Sequence, residues 1–348
     1  MLVLTVATVG LAPAASATGK TPATRAQTRH VGGRIEALAM DQNRIAYDVG
    51  PQGVANTVRV WNVRTGKTTT VSGKHTRAAD DSSTGSGVVG LAVAGIRVAW
   101  IVNVGGNTEG DDYLYASSVV KPKEQAVAQV MRTGDTCPGR SQPLCSGQWL
   151  GGLVGSGGLI ALNRWTTDGQ GSVTAGELDL LVGSKLKAVA SGAETVGAAS
   201  ADASRVAVLR ADGTVGLYSS TGTLLRTVSP ANAEAVALSG HNLVVLTRTR
   251  TLELYNTQTG NHRKTLPVRG NANTPVNLDV QGNIAIYTTG SLHAVNLSSG
   301  KDRVIGNLRG GVGLARIDTA GVAYSTGRFR GEGTLVFLPW ARVAASVS

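Results

Sequence analysis

The sequence predicts an all-β fold made of repeated four-stranded antiparallel units, and three observations carry that prediction. A short phrase of turn residues followed by aliphatic residues recurs seven times. Runs of Val, Thr, Leu and Ile are punctuated by Gly, Ser, Asn and Asp, as short strands joined by tight turns would be. No stretch of helical 3.6-residue periodicity lasts longer than two turns.

The phrase reads MDQNRIAY at 40–47, VAGIRVAW at 93–100, GSGGLIAL at 155–162 and SADASRVAV at 200–208. It returns as LSGHNLVV at 238–245, DVQGNIAI at 279–286 and DTAGVAY at 318–324. From Ala207 to Val244, Ala285 and Ala323 the steps are 37, 41 and 38 residues. That is the period of a four-stranded propeller blade. The earlier steps, through Ala46, Ala99 and Ala161, are lengthened by loop insertions.

Around each phrase the strands fall into order. In the first unit 57–62 and 68–71 flank the turn Arg64-Thr65-Gly66. The fourth unit has strands at 196–200, 205–209, 214–219 and 224–228, with turns at Ala211-Asp212-Gly213 and Thr221-Gly222. The fifth repeats them at 235–238, 243–247, 251–256 and 262–266. The seventh has its third strand at 334–338, and its fourth is either 342–347 or the N-terminal stretch 24–31. Seven such meanders predict a seven-bladed β-propeller of four-stranded antiparallel blades over 34–348, with 18–33 as a candidate ring-closing segment. Closure removes exposed sheet edges. A two-sheet sandwich, or a ring of six or eight blades, is the alternative.

The N-terminus reads as an export signal over residues 1–17. An apolar core at 2–11 precedes Ala15-Ser16-Ala17, an A-x-A cleavage pattern that makes Thr18 the mature start. No basic residue precedes the core, so a start further upstream is expected. The core is far shorter than the roughly 20 apolar residues of a membrane span. Export suits the two cysteines, Cys137 and Cys145, which lie in one Pro/Gly/Ser-rich loop. A disulfide there would stabilise by roughly 2–3 kcal/mol, and the spacing does not suit zinc.

The turn-then-strand phrase SADASRVAV is similar to that of TolB-like blades. VWNVRTGK at 60–67 and LYNTQTGNHRKTL at 254–266 resemble the end of a WD40-like blade. The resemblance covers most of 34–338, and it implies a secreted repeat propeller. The Gly-His and Trp-Asp signatures of WD40 blades are absent, apart from Trp61-Asn62. No catalytic or binding residue transfers, since fold alone does not give function.

In an antiparallel four-strand blade the turns after strands one and three share one end. The turns after strand two and between blades share the other. The first set is short; the second holds the long insertions at 48–56, 72–87, 103–112, 132–147, 164–175 and 326–333. Long loops on a rigid ring mark the functional face. Its chemistry is partly basic: Lys74, Arg77, Arg132, Arg140 and Arg164, the turn Arg248-Thr249-Arg250, and Arg328-Phe329-Arg330 with an aromatic between two guanidiniums. The chain carries 33 basic and 22 acidic residues, a formal +11. In an exported protein that excess favours anionic envelope partners, while export itself argues against nucleic acid; the plainer reading is dispersed charge that keeps the protein soluble.

Catalytic signatures are scarce. The histidines His30, His75, His241, His262 and His293 show no metal spacing, no G-x-S-x-G elbow is present, and no cofactor or metal is expected. Glu109, Asp111 and Asp112, with Asn103 and Asn107, are the candidate calcium ligands, although loop composition explains them as well. Trp165 with Asp168 could contact a carbohydrate, or simply form a hairpin turn. Two function classes follow. One is a secreted, monomeric, non-enzymatic scaffold binding a protein or anionic envelope polymer through Arg248, Arg250, Arg328, Phe329, Arg330 and Trp165. The other is a secreted hydrolase or lyase acting on an extracellular polysaccharide.

Overall fold

A computed structural model describes residues 25–50, 57–78, 86–105, 109–133, 146–270, 277–307, 313–326 and 333–348. Its strands form five four-stranded sheets and one eight-stranded sheet, every pairing antiparallel between consecutive strands except one. The exception closes the ring: Gln27–Val31 pairs with Gly333–Pro339, from Gln27 opposite Phe337 to Val31 opposite Gly333. Of the two closing strands the sequence left open, the N-terminal one is used. The other stretch belongs to the helix Trp340–Val347, whose Val343 and Val347 pack under the last sheet.

Predicted and observed strands agree closely. Thr57–Asn62, Arg205–Leu209, Leu224–Val228 and Thr251–Asn256 match residue for residue. The recurring phrase has a packing reason. Its small aliphatic residue in the second strand (Ala46, Ala99, Ala161, Ala207, Val244, Ala285 or Ala323) is wholly buried in every copy. A larger side chain there would force neighbouring sheets apart, since cores tolerate little excess volume.

Apolar clusters fill the spaces between consecutive units. One joins Val58 and Val60 to Trp100 and Tyr115, another joins Leu178 and Leu180 to Val206 and Tyr218, and Val31 and Phe337 meet Ile45 and Trp61 across the closure. The first strands pack side by side in one cycle: Leu38–Asp41, Ser86–Ala94, Ser146–Ser156, Ala199–Ala201, Ala233–Ser239, Leu278–Gln281, Ala315–Asp318 and back to Leu38–Asp41. The approach is tight. A Cβ on Gly155 would lie 2.7 Å from the Val93 carbonyl oxygen.

These inner strands line a central cavity of about 250 Å³. Polar side chains along it satisfy backbone N–H groups of the next inner strand. Ser200 Oγ accepts from Leu238 N at 3.0 Å, Ser239 Oγ from Gly282 N at 2.9 Å, and Asp279 Oδ2 from Ile317 N at 3.0 Å. Burial pushes the Asp279 carboxyl up, against the pull of Arg316 and of these N–H groups. At the short-turn end Asp41 accepts from both Gly95 N (2.5 Å) and Gly157 N (3.1 Å). The lumen's polarity is therefore largely spent on holding the ring together.

Candidate binding ledge on the eight-stranded sheet

The eight-stranded sheet is taller than its neighbours. Its strands run mostly to eight to eleven residues, as in Arg97–Val104, Glu109–Ser118 and Ser146–Ser156, while those of the unit beside it, such as Ala199–Ala201 and Val215–Ser219, have three to five. Two of the expected long loops prove to be largely strand. The segment 103–112 contains paired strand in which Val104 faces Asp111, and 164–175 contains strand up to Thr167 and again from Val173. Asn, Asp and Gly in these stretches imitate turn composition, but burial and pairing hold them extended. The sheet's two halves are stitched where Ser146 and Gly147 pair with Thr133 and Arg132.

At that seam stands a cation–aromatic ladder. The Arg132 guanidinium lies 4.3 Å from the Trp149 ring centroid. Trp149 in turn stacks on Trp165, its cross-strand partner, at 6.1 Å and an interplanar angle of 5°. The Trp149 indole N–H donates to Thr167 Oγ1 at 2.9 Å. Arg132 is nearly fully buried and ion-paired with Asp112 at 3.1 Å; Asp112 also accepts from Asn103 Nδ2 (2.8 Å) and Leu150 N (3.1 Å). Both indoles remain half-buried.

Two further groups lie on the same sheet, one beside the ladder and one on the opposite face. Arg164 bridges Asp179 Oδ2 at 3.1 Å and Glu177, and lines a cleft of about 320 Å³ together with Gln148, Trp165, Glu177 and Ser191. On the other half of the sheet Tyr113 stacks on Tyr115 at 6.2 Å, and Gln129 Nε2 donates to both Tyr113 Oη and Asp111 Oδ1. Met131 stands beside them, 58% exposed. Burial and the neighbouring Glu124 and Tyr113 push the Tyr115 phenol up to about 12, so it remains a neutral packing group.

The structure redistributes the candidate residues. Arg132 and Arg164 are ion-paired and are not free cations for a ligand. Asp112 serves Arg132 rather than calcium, and no cluster of metal-ligating side chains occurs among the described residues. Asp168 accepts from Gln170 N (2.8 Å) and Ser172 N (2.9 Å), which makes it the turn residue of its hairpin. Arg248 and Arg250 occupy a tight turn in which Arg250 has φ 62°; Arg248 is exposed and Arg250 half-buried. Arg140, Arg328, Phe329, Arg330, Asn107, Cys137 and Cys145 lie outside the described residues.

Much of the remaining basic charge has a structural use. On the short-turn face a cation from one unit donates to a turn carbonyl of the next: Arg29 to Gly66 O (2.9 Å), Arg226 to Gln258 O (2.6 Å) and Lys264 to Ser298 O (2.5 Å). The receiving turns are shaped by Asn62, Asn256 and Asn296, whose side-chain oxygens each accept two backbone N–H groups. This is the physical content of the NVRTG and NTQTG strings.

One polar cluster escaped sequence reading. His293 Nδ1 lies 3.0 Å from Asp302 Oδ1 and stacks on Tyr287, whose hydroxyl donates to Asp302. Burial alone would push the Asp302 carboxyl up. The hydrogen bonds from His293 and Tyr287 outweigh it and hold the group below its usual range.

No protein-family model matches the chain, and no curated protein matches it. Solved structures do. A chain from the crystal structure of a mitotic checkpoint complex is similar at TM-score 0.55 and 14% identity, over 97% of this chain and 99% of that one. The computationally designed Ika8 protein is similar at TM-score 0.50 and 13% identity, over 89% and 98%. Identities this low show the fold alone, and that fold is a β-propeller.

Proposed function

We propose that this chain is a seven-bladed, exported propeller that works as a non-enzymatic platform and holds a protein partner on the ledge of its second and third blades. The blade count treats the eight-stranded sheet as two units joined at one edge. Each half repeats the four-strand meander, both inner strands Ser86–Ala94 and Ser146–Ser156 line the ring, and a separate apolar cluster lies between the halves. Export rests on the pattern at 1–17 and on no structural observation.

The observation that carries the binding reading is the Arg132–Trp149–Trp165 ladder, held rigid by Asp112 and Thr167. Aromatic, Met and Arg side chains dominate the centres of protein interfaces, and groups already locked in place lose little entropy on binding. An acidic envelope partner is the narrower form of this reading, and it rests on Arg248 and Arg250 together with Arg328 and Arg330. A polysaccharide hydrolase or lyase draws less support, because Glu177 and Asp179 are bound by Arg164 and Asp168 by its own turn.

A photo-cross-linking residue at Thr174, which is exposed and lines the cleft beside Trp165, in cells producing the protein, tests the platform against one at Gln258 on the opposite face. A discrete protein adduct from Thr174 alone is expected. Equal adducts at both positions, or none at Thr174, would count against the ledge.

A further inference from the structure

The short-turn face of the same eight-stranded sheet carries a second feature. Ile96 and Val120 sit in two of its turns and Val182 ends the strand before a third, and the three residues are 46%, 64% and 58% exposed. The turns are locked into one surface. Val119 N donates to Ile96 O at 2.9 Å, and Arg97 Nη2 reaches Leu181 O at 2.7 Å and Gly183 O at 3.1 Å. Four exposed lysines bracket these apolar tips: Lys121 and Lys123 beside Val120, and Lys185 and Lys187 beside Val182.

Among the described residues, the carboxylates closest in sequence or behind these turns are already engaged. The acid nearest in sequence, Glu124, is directed away to His75 N (2.9 Å) and Thr76 N (3.1 Å). Asp41, behind Gly95, is occupied by two backbone N–H groups. We infer that this patch docks the protein on an anionic lipid surface, with the three aliphatic tips entering the headgroup layer and the lysines meeting lipid phosphates. Apolar tips with a basic surround are the physical signature of interfacial binding. Each lysine near an anionic leaflet contributes roughly fivefold to partitioning. The placement leaves the ledge, on the opposite face, turned toward the aqueous side, and it does not depend on what the ledge binds.

The test is sedimentation of the protein with vesicles of phosphatidylcholine mixed with phosphatidylglycerol, against phosphatidylcholine alone, across a salt series. Binding to the mixed vesicles that fades with salt is expected. Lys185→Ser/Lys187→Ser should weaken it at least tenfold, and Val120→Ser/Val182→Ser comparably. Arg64→Ser/Lys67→Ser removes equal charge from another unit of the same face and should leave binding within about twofold, as Debye screening confines the effect to nearby charges. All these side chains are exposed, so thermal unfolding should be unchanged and separates lost docking from lost fold. Equal binding to both vesicle types, no binding at low salt, or equal losses in the two double charge variants would overturn the proposal.

Discussion

Arg132 shows how much one side chain can hold. Its guanidinium is buried between the Asp112 carboxylate and the Trp149 ring. Removing Asp112 leaves it charged, buried and without its ion-pair partner, so Asp112→Ala should cost about 3–5 kcal/mol in urea unfolding. Arg132→Met should cost less, because Asp112 keeps its hydrogen bonds from Asn103 and Leu150. Equal costs would show that the pair is not the stabilising unit. Asp302 supplies a pH test. Its folded value lies below the ordinary carboxylate value, so its contribution is complete above about pH 4 and is lost as pH falls through the folded value. Asp302→Asn should therefore flatten the acid limb of a stability-versus-pH curve, and an unchanged limb would contradict the assignment. Trp165 could be singled out from sequence, but its partner could not. A bulge between Gly151 and Val154, with Gly152 at φ 57°, shifts the register by one residue. Without it Trp149 would face Thr166, and the ladder would not form.

At the scale of elements, composition spoke clearly wherever strands were short and turns ordinary. Apart from the first strand of the fourth unit, expected at 196–200 and found at Ala199–Ala201, the fourth and fifth units were legible to within two residues, because Thr-Gly and Asp-Gly turns punctuate β-branched runs. It misled in the second and third units, where Asp111, Asp112 and Ala175 read as loop although pairing holds them in strands. Ring closure was open between two segments because either could supply a fourth strand, and only contact with Gly333–Pro339 selects one. Removing residues up to Val31 should unzip that sheet, lowering the unfolding temperature by more than ten degrees, roughly, since it exposes Phe337 and Leu335. A thermal scan of the truncated chain checks this. The inter-unit latches are weaker. Arg226→Ala and Lys264→Ala, at exposed sites, should each cost no more than about 1 kcal/mol.

The whole molecule divides its chemistry between two faces. The repeated phrase revealed the architecture, because a ring of identical tasks leaves an imprint at every blade. The site left almost none, because it depends on the one place where two units join and rise above the rest. The formal +11 was the most visible functional clue, yet some of that excess is used by latches in which a cation meets a turn carbonyl. The ledge is the central claim. Its most direct measurement is sedimentation of the protein with isolated cell envelope, intact or shaved with protease, for the wild type and for Trp149→Ala/Trp165→Ala. A component of binding that disappears on shaving, and is missing to the same extent in the double variant, is the predicted result. A double variant that binds intact envelope as well as the wild type does, or shaving that removes no component of the wild-type binding, would contradict it.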